Sequence, residues 1–228
     1  ETNHIPVKFI GHPLASMIPQ NFNKKMVREK LNLSIEGKYL ALMPGSRKND
    51  LKYLAPLFIE TAKLCLQEMP ELNILVPMID EKRAIEFSQI LREAKALDLP
   101  IRISINNAHE VLQACDAVLI KSGTGTLEAM LCKTPMVVAY KMDALSFYVA
   151  KKLVKTRWIS LPNILAKETL VPEFIQDQAS AENLAEACLT LLQEKADTNL
   201  LNSFQKLHRS LATDSADTAA RCIFEYLS

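Results

Sequence analysis

Several absences narrow the chemistry of this sequence. Charge of either sign is not in excess: 27 Lys and Arg stand against 26 Asp and Glu in 228 residues. No overall field draws in nucleic acid or an anionic membrane surface, so no nucleic-acid partner is expected and ligands must be argued from local groups. There is no CxxC pair. The five cysteines, Cys65, Cys115, Cys132, Cys188 and Cys222, are odd in number and widely spaced in apolar patterns, as reduced core thiols of a cytoplasmic protein are. No apolar run approaches the roughly 20 residues that span a bilayer, and no stretch has a signal-peptide pattern. His4, His109 and His208 lack neighbours at metal-ligand spacing and no DxD pair occurs, so no metal is expected. GxSxG, GKS or GKT and GxGxxG are missing too, and no acidic residue follows a second strand where a dinucleotide ribose needs one. Neither a Walker loop nor a nicotinamide site is expected, and no cofactor. There is no internal repeat and no low-complexity segment.

What is present is a buried α/β architecture. At 49% hydrophobic residues the chain can bury a full core. Short, almost unbroken apolar runs predict strands at Tyr39–Met43, Asn73–Pro77, Ile101–Ser104, Ala117–Ile120 and Met136–Tyr140. Helical patterns over Asn49–Glu68, Glu81–Ala96, Ala108–Ala114, Gly125–Cys132 and Leu145–Val154 alternate with them. That alternation is the signature of a Rossmann-like, doubly wound parallel sheet covered on both faces. The opening residues read as a short strand entered mid-fold, so a domain cut from a longer protein is expected. Beyond about residue 160 comes a Pro-punctuated loop, then helices near Ala181–Glu194, Asn199–Leu211 and Ser215–Leu227, with no further strand. The apolar stripes of this tail must be buried on this domain, on a preceding domain or on a second subunit.

Two turns stand out. Lys121-Ser122-Gly123-Thr124-Gly125-Thr126-Leu127-Glu128 follows the AVLI run and opens a helix. Unpaired backbone N–H groups and the helix dipole at such a turn attract anions, and glycines permit close approach, so a diphosphate would fit. If Thr124 caps the helix, Glu128 lies one turn further on the same face, where a carboxylate can accept from paired ribose hydroxyls. An ordinary tight turn with a solvated Glu128 is the bland alternative. Met43-Pro44-Gly45-Ser46-Arg47 occupies the corresponding position after an earlier run, and Arg47 carries a fork suited to phosphate or a planar base. An ordinary loop with an exposed Arg is the alternative there. His12 reads as a packed or hydrogen-bonded residue. Glu81-Lys82-Arg83 and Lys151-Lys152-Leu153-Val154-Lys155 read as solvated helix faces, the second with the option of touching a phosphate-bearing lipid.

Several separated stretches together resemble the lipid-A-disaccharide synthase family. They are Phe9-Ile10-Gly11-His12-Pro13-Leu14, Leu42 to Arg47, Ser122-Gly123-Thr124 with Leu127 to Leu131, Pro135 to Val138 with Tyr140-Lys141, Leu153-Val154-Lys155 and Ser160-Leu161-Pro162-Asn163. The resemblance covers essentially the whole chain. It implies one half of a GT-B fold: residues 1–19 a linker with a leading strand, 20–178 a UDP-sugar-binding domain, and 179–228 a helical tail. It also implies an inverting transfer of diacylglucosamine from its UDP derivative to diacylglucosamine 1-phosphate, with release of UDP. Carried across, Gly45, Ser46 and Arg47 would contact the nucleotide, Ser122, Gly123 and Thr124 would hold diphosphate, Glu128 would bind ribose, and Asn163 and Gln176 would reach the donor. The acceptor site, the membrane-contacting surface and the general base would lie in an amino-terminal domain, so no catalytic residue is named here. A cytoplasmic protein peripheral to the inner membrane is implied, with a swapped homodimer through the tail. Lys121, where the family form has a small residue, and Asp50, where a Glu is usual, depart from it. Other readings are a related UDP-sugar transferase or 2-epimerase, and a non-catalytic dimerisation module.

Overall fold

The computed structural model describes residues 7–143, 156–194, 197–212 and 215–227. Six parallel strands run β1 Lys38–Met43, β2 Leu72–Met78, β3 Ile101–Ile105, β4 Ala117–Lys121, β5 Met136–Tyr140 and β6 Glu173–Ile175. Their order across the sheet is β3-β2-β1-β4-β5-β6. The helices are α1 Pro13–Met17, α2 Lys24–Lys30, α3 Lys48–Glu68, α4 Glu81–Glu93, α5 Ala108–Ala114, α6 Thr124–Leu131, α7 Leu161–Ala166, α8 Ala181–Gln193, α9 Thr198–Leu211 and α10 Ser215–Leu227. Among the described residues no helix is long and apolar enough to cross a membrane.

Side chains alternate across a strand, so the apolar runs feed two cores. Leu40, Leu42, Ile74, Val76 and Leu119 face α3, α4 and α8, against Leu54, Phe58, Phe87 and Leu184. Ala41, Leu75, Val118, Ile120 and Val138 face the other way, onto Leu112, Leu127, Met130 and Phe204 of α5, α6 and α9. Of the tail helices, α8 buries its stripe on the sheet and α9 buries its own on α1, α6 and α7, whereas Ile223 of α10 is exposed. Phe204 and His208 seat α9. His208 Nε2 lies 2.8 Å from the Ala15 carbonyl and Nδ1 2.5 Å from Lys133 Nζ. A carbonyl accepts only, so the tautomer protonated at Nε2 satisfies both contacts. Burial holds His208 below its usual pKa and pushes Lys133 down to about 8. The cysteines are free, and burial pushes the Cys115 and Cys132 thiols up to about 12.

The sequence-based outline needs correcting at both ends. Residues 7–12 form no strand. His12 instead caps α1, its Nδ1 accepting from Leu14 N at 3.2 Å while its own N–H reaches the Leu211 carbonyl at 3.0 Å. A strand does follow residue 160: β6 pairs with β5 through Val138↔Glu173 and Tyr140↔Ile175. Three residues inside a Pro-rich loop are too few for a periodic signal. The expected helix over Leu145–Val154 and the basic cluster 151–155 lie outside the described residues. Helix α4 stops at Glu93, short of Ala96, because Lys95 turns left-handed with φ 49°.

Asp116, just before β4, ties the base of the sheet to α2. It accepts from both Arg28 Nη2 contacts at 2.9–3.0 Å, from Lys24 Nζ at 2.6 Å and from Tyr39 N at 2.9 Å. Arg28 is 6% exposed and stacks 4.8 Å from the Tyr39 ring centre. Removing the carboxylate leaves a buried guanidinium without its counter-ion, held by the carbonyls of Ala114, Ile35 and Gly37 alone. Asp116→Ala is expected to lower the unfolding free energy by on the order of 2–3 kcal/mol in urea denaturation, less than a fully buried pair would because Asp116 is partly exposed. A change within about 0.5 kcal/mol would mark the pair as surface-like.

Candidate functional site

In a parallel sheet every strand ends at the same edge, and here β1 and β4 are neighbours whose helices leave to opposite faces. Helix α3 packs in one core and α6 in the other. The two turns diverge and open a crevice between them, where α/β sheets take ligands. Met43↔Ile120 pair in register, so both turns start from the same level. The crevice is a cleft of about 610 Å³.

One wall is the β1–α3 turn. Gly45 has φ 115°, and a Cβ there would lie 2.6 Å from Asp50 Cβ, so only glycine fits. Asp50, in the first turn of α3, accepts from Arg47 N at 3.3 Å. Ser46 and Arg47 are exposed and line the cleft. The opposite wall is the start of α6, with Gly123 rather than Thr124 as the cap, at φ 151°. Ser122 is less available than its position implies: its N–H pairs with the Ala139 carbonyl at 3.0 Å and its hydroxyl donates to the Ile159 carbonyl at 2.6 Å. The N–H groups free of intrahelical acceptors by helix geometry are those of Gly123, Thr124 and Gly125, since Thr126 N already donates to the Gly123 carbonyl at 3.1 Å.

Glu128 lies one turn into α6, 23% exposed, with Oε2 2.9 Å from His109 Nε2. His109 stands in the first turn of α5 and lines the cleft. Sequence reasoning missed its role because it sought metal-ligand spacing. A third βα turn at the same sheet edge was the available signal. The hydrogen bond to Glu128 raises the His109 pKa, outweighing the opposing effect of burial.

The lining charges are largely paired. His109 faces Glu128, Lys121 Nζ lies 3.1 Å from Asp50 Oδ1, and Glu110 reaches Lys30 at 3.2 Å. Among the described residues Arg47 is the lining cation with no carboxylate partner within 4.0 Å. Attraction for an anion therefore rests on Arg47 and the amino termini of α3 and α6. Among the described residues no three His, Cys, Asp or Glu side chains converge as a metal site would require.

Asn163 and Gln176 lie outside the cleft. Asn163 is fully buried: its Oδ1 accepts from Leu170 N and Val171 N at 2.8 and 3.0 Å, and its Nδ2 donates to the Val171 carbonyl and Glu173 Oε1 at 2.9 Å. Glu173 also accepts from Ile159 N, Ser160 N and Ser160 Oγ. The Ser-Leu-Pro-Asn segment is thus a clasp that holds the chain leading into β6. It reaches the cleft wall only indirectly, through Ser122 and through Leu161 N, which donates to Thr126 Oγ1 at 3.1 Å. Gln176 is occupied with both backbone groups of Met142, at 2.8 and 3.1 Å.

Comparison with known proteins follows the same lines. The family model described as Lipid-A-disaccharide synthetase matches residues 1–224. A lipid-A-disaccharide synthase of Pseudomonas syringae pv. tomato is 43% identical over 228 residues, covering 100% of this chain and 58% of the relative. The chain therefore spans well under two thirds of that relative's length. Among solved structures, WaaG, a glycosyltransferase involved in lipopolysaccharide biosynthesis, superposes with a TM-score of 0.57 at 16% identity, covering 92% of this chain and 53% of that one. The pneumococcal O-GlcNAc transferase GtfA, in complex with UDP and GlcNAc, gives 0.53 at 15% identity, covering 85% and 37%. These likenesses show the fold, that of a Rossmann-like half of a GT-B glycosyltransferase.

The His109–Glu128 pair yields a pH prediction. A raised folded pKa stabilises most at pH below the unfolded value of about 6.5, and that contribution is lost as pH rises through the folded value. In an NMR titration the His109 ring is expected to titrate above its ordinary value, and Glu128→Gln is expected to bring it down. The same midpoint in both proteins would dissolve the pair.

Proposed function

The chain belongs to the lipid-A-disaccharide synthase family, and on that premise we propose that its cleft is the donor site of a glycosyltransferase acting in lipid A synthesis. One observation carries the reading: the Gly45–Arg47 and Gly123–Thr124 turns, from adjacent strands, face a single cleft with Glu128 one turn deeper. The diphosphate of a UDP-sugar would lie across the two helix amino termini, with the exposed Arg47 as its clamp. Glu128, steadied by His109, would accept from the ribose hydroxyls. The fold neighbour GtfA was crystallised with UDP and a sugar, in keeping with this use of the fold.

The transfer proposed is that of the family resemblance: diacylglucosamine passes from UDP to the 6-hydroxyl of diacylglucosamine 1-phosphate. The acceptor oxygen forms the new bond to the anomeric carbon from the face opposite the diphosphate, inverting it. The carbon–oxygen bond to the diphosphate breaks, and its electron pair stays on the departing UDP. This chain's share is to hold the donor and to spread the charge growing on UDP over Arg47 and the helix termini. The base that takes the hydroxyl proton, the acceptor site and the contact with the inner-membrane surface are assigned to the part of the relatives' length that this chain does not span. Residues 20–178 serve as the donor domain and 1–19 as its linker. Of the tail 179–228, α10 is the surface assigned to a partner subunit.

Calorimetric titration with UDP in the presence of a chelator tests the assignment, with ADP and NAD as controls. Selective UDP binding is expected. Arg47→Ala and Glu128→Ala should each weaken it by about 1.5–3 kcal/mol, the worth of a charge-assisted hydrogen bond. Unchanged affinity in both variants would remove these turns from the site.

A further inference from the structure

The donor reading gives Lys121 no task, although it lines the cleft at the end of β4. Its Nζ lies 3.1 Å from Asp50 Oδ1, and the two side chains are only 19% and 16% exposed. The partners come from different turns, Lys121 from β4 and Asp50 from the start of α3. Asp50 is fixed independently of Lys121: its other oxygen accepts from Arg47 N, and its carboxyl group packs where a Gly45 Cβ would be. Negative charge is also favoured at that helix amino terminus. An ammonium group has three donor hydrogens, and Asp50 Oδ1 uses one.

We propose that Lys121 is a phosphate-contacting residue that sets the preference of this cleft for a diphosphate, and that Asp50 is the counter-ion that holds it in the empty cleft. The proposal rests on the donor reading above. As a pure structural tie the pair would be a poor investment of two charges, since desolvation of a mostly buried ion pair rivals its attraction. A phosphate contact gives it a use. A diphosphate esterified at both ends carries about two negative charges, and the departing diphosphate about one more. Two helix amino termini at about half a charge each, together with Arg47, match about two. With Asp50 beside it Lys121 adds no net charge to the cleft, so what it offers a phosphate is a directed, charge-assisted hydrogen bond from one of its two remaining donor hydrogens. As the bond to the sugar breaks, the extra charge on UDP strengthens its hold on Lys121 relative to Asp50.

The test sets the two halves of the ion pair against each other. Wild-type chain, Lys121→Met and Asp50→Asn are each titrated with UDP and with uridine, which lacks phosphate. Lys121→Met is expected to weaken UDP by about tenfold or more while uridine binding stays as in wild type. Asp50→Asn keeps an acceptor for Arg47 N and releases Lys121, so UDP binding is expected to tighten. A structural tie predicts the opposite pattern, with both variants losing UDP and uridine alike, and that outcome overturns the proposal. So does a Lys121→Met chain with the wild-type ratio of UDP to uridine affinity. Wild-type chain that binds UDP no better than uridine would bring down the donor reading itself, a result distinguishable from failure at Lys121 alone.

Discussion

The adjacency of β1 and β4, with their helices sent to opposite faces, is the constraint on which the site depends. Parallel pairing aligns Met43 with Ile120, and the split between the two cores sends α3 one way and α6 the other. Two glycine turns then face each other across a gap that no side chain of the sheet fills. The glycines are required by geometry rather than by a need for flexibility. At Gly45 both the positive φ and the Asp50 carboxyl exclude a side chain, and at Gly123 the backbone turns directly into a helix.

Around that gap the structure combines rigid support with internally balanced charge. Asp116 fastens the lower ends of β1 and β4 to α2, and the Asn163–Glu173 clasp fastens β6 and the Ser122 turn. The walls of the cleft are held from behind by groups that never face it. On the cleft side, Lys121 with Asp50 and His109 with Glu128 bring opposite charges together. Oriented dipoles and one exposed guanidinium suit an anion better than a dense cationic patch, because they act over short distances in a partly enclosed space.

Much of this was legible in the sequence, for physical reasons. Strands buried on both faces leave unbroken apolar runs, which is why five of the six strands could be drawn from YLALM, NILVP, AVLI and their neighbours. The turns at Gly45 and Gly123 were legible because glycine after a buried strand and before a helix has few other uses. Strand β6 was not, because three residues held by the clasp carry no periodicity. Asn163 and Gln176 were assigned to the donor by resemblance, yet their amides are consumed by backbone groups, something only the folded arrangement displays. Ser122 shows the same limit, its N–H and hydroxyl both spent on neighbouring segments. Conversely, Asp50 and His109 gain their meaning from partners 71 and 19 residues away in sequence, a relation that no local pattern encodes.

The claim at the centre of this account is that a nucleoside diphosphate binds between the β1–α3 and β4–α6 turns. Backbone amide NMR of the isotope-labelled chain during a UDP titration tests it most directly. The largest shifts are expected at Gly45, Ser46, Arg47, Gly123 and Thr124, with smaller ones at His109 and Glu128 and little change at Asn163. Shifts centred elsewhere, for instance on the small hollow beside Leu33 and Arg102, or none at saturating UDP, would contradict it.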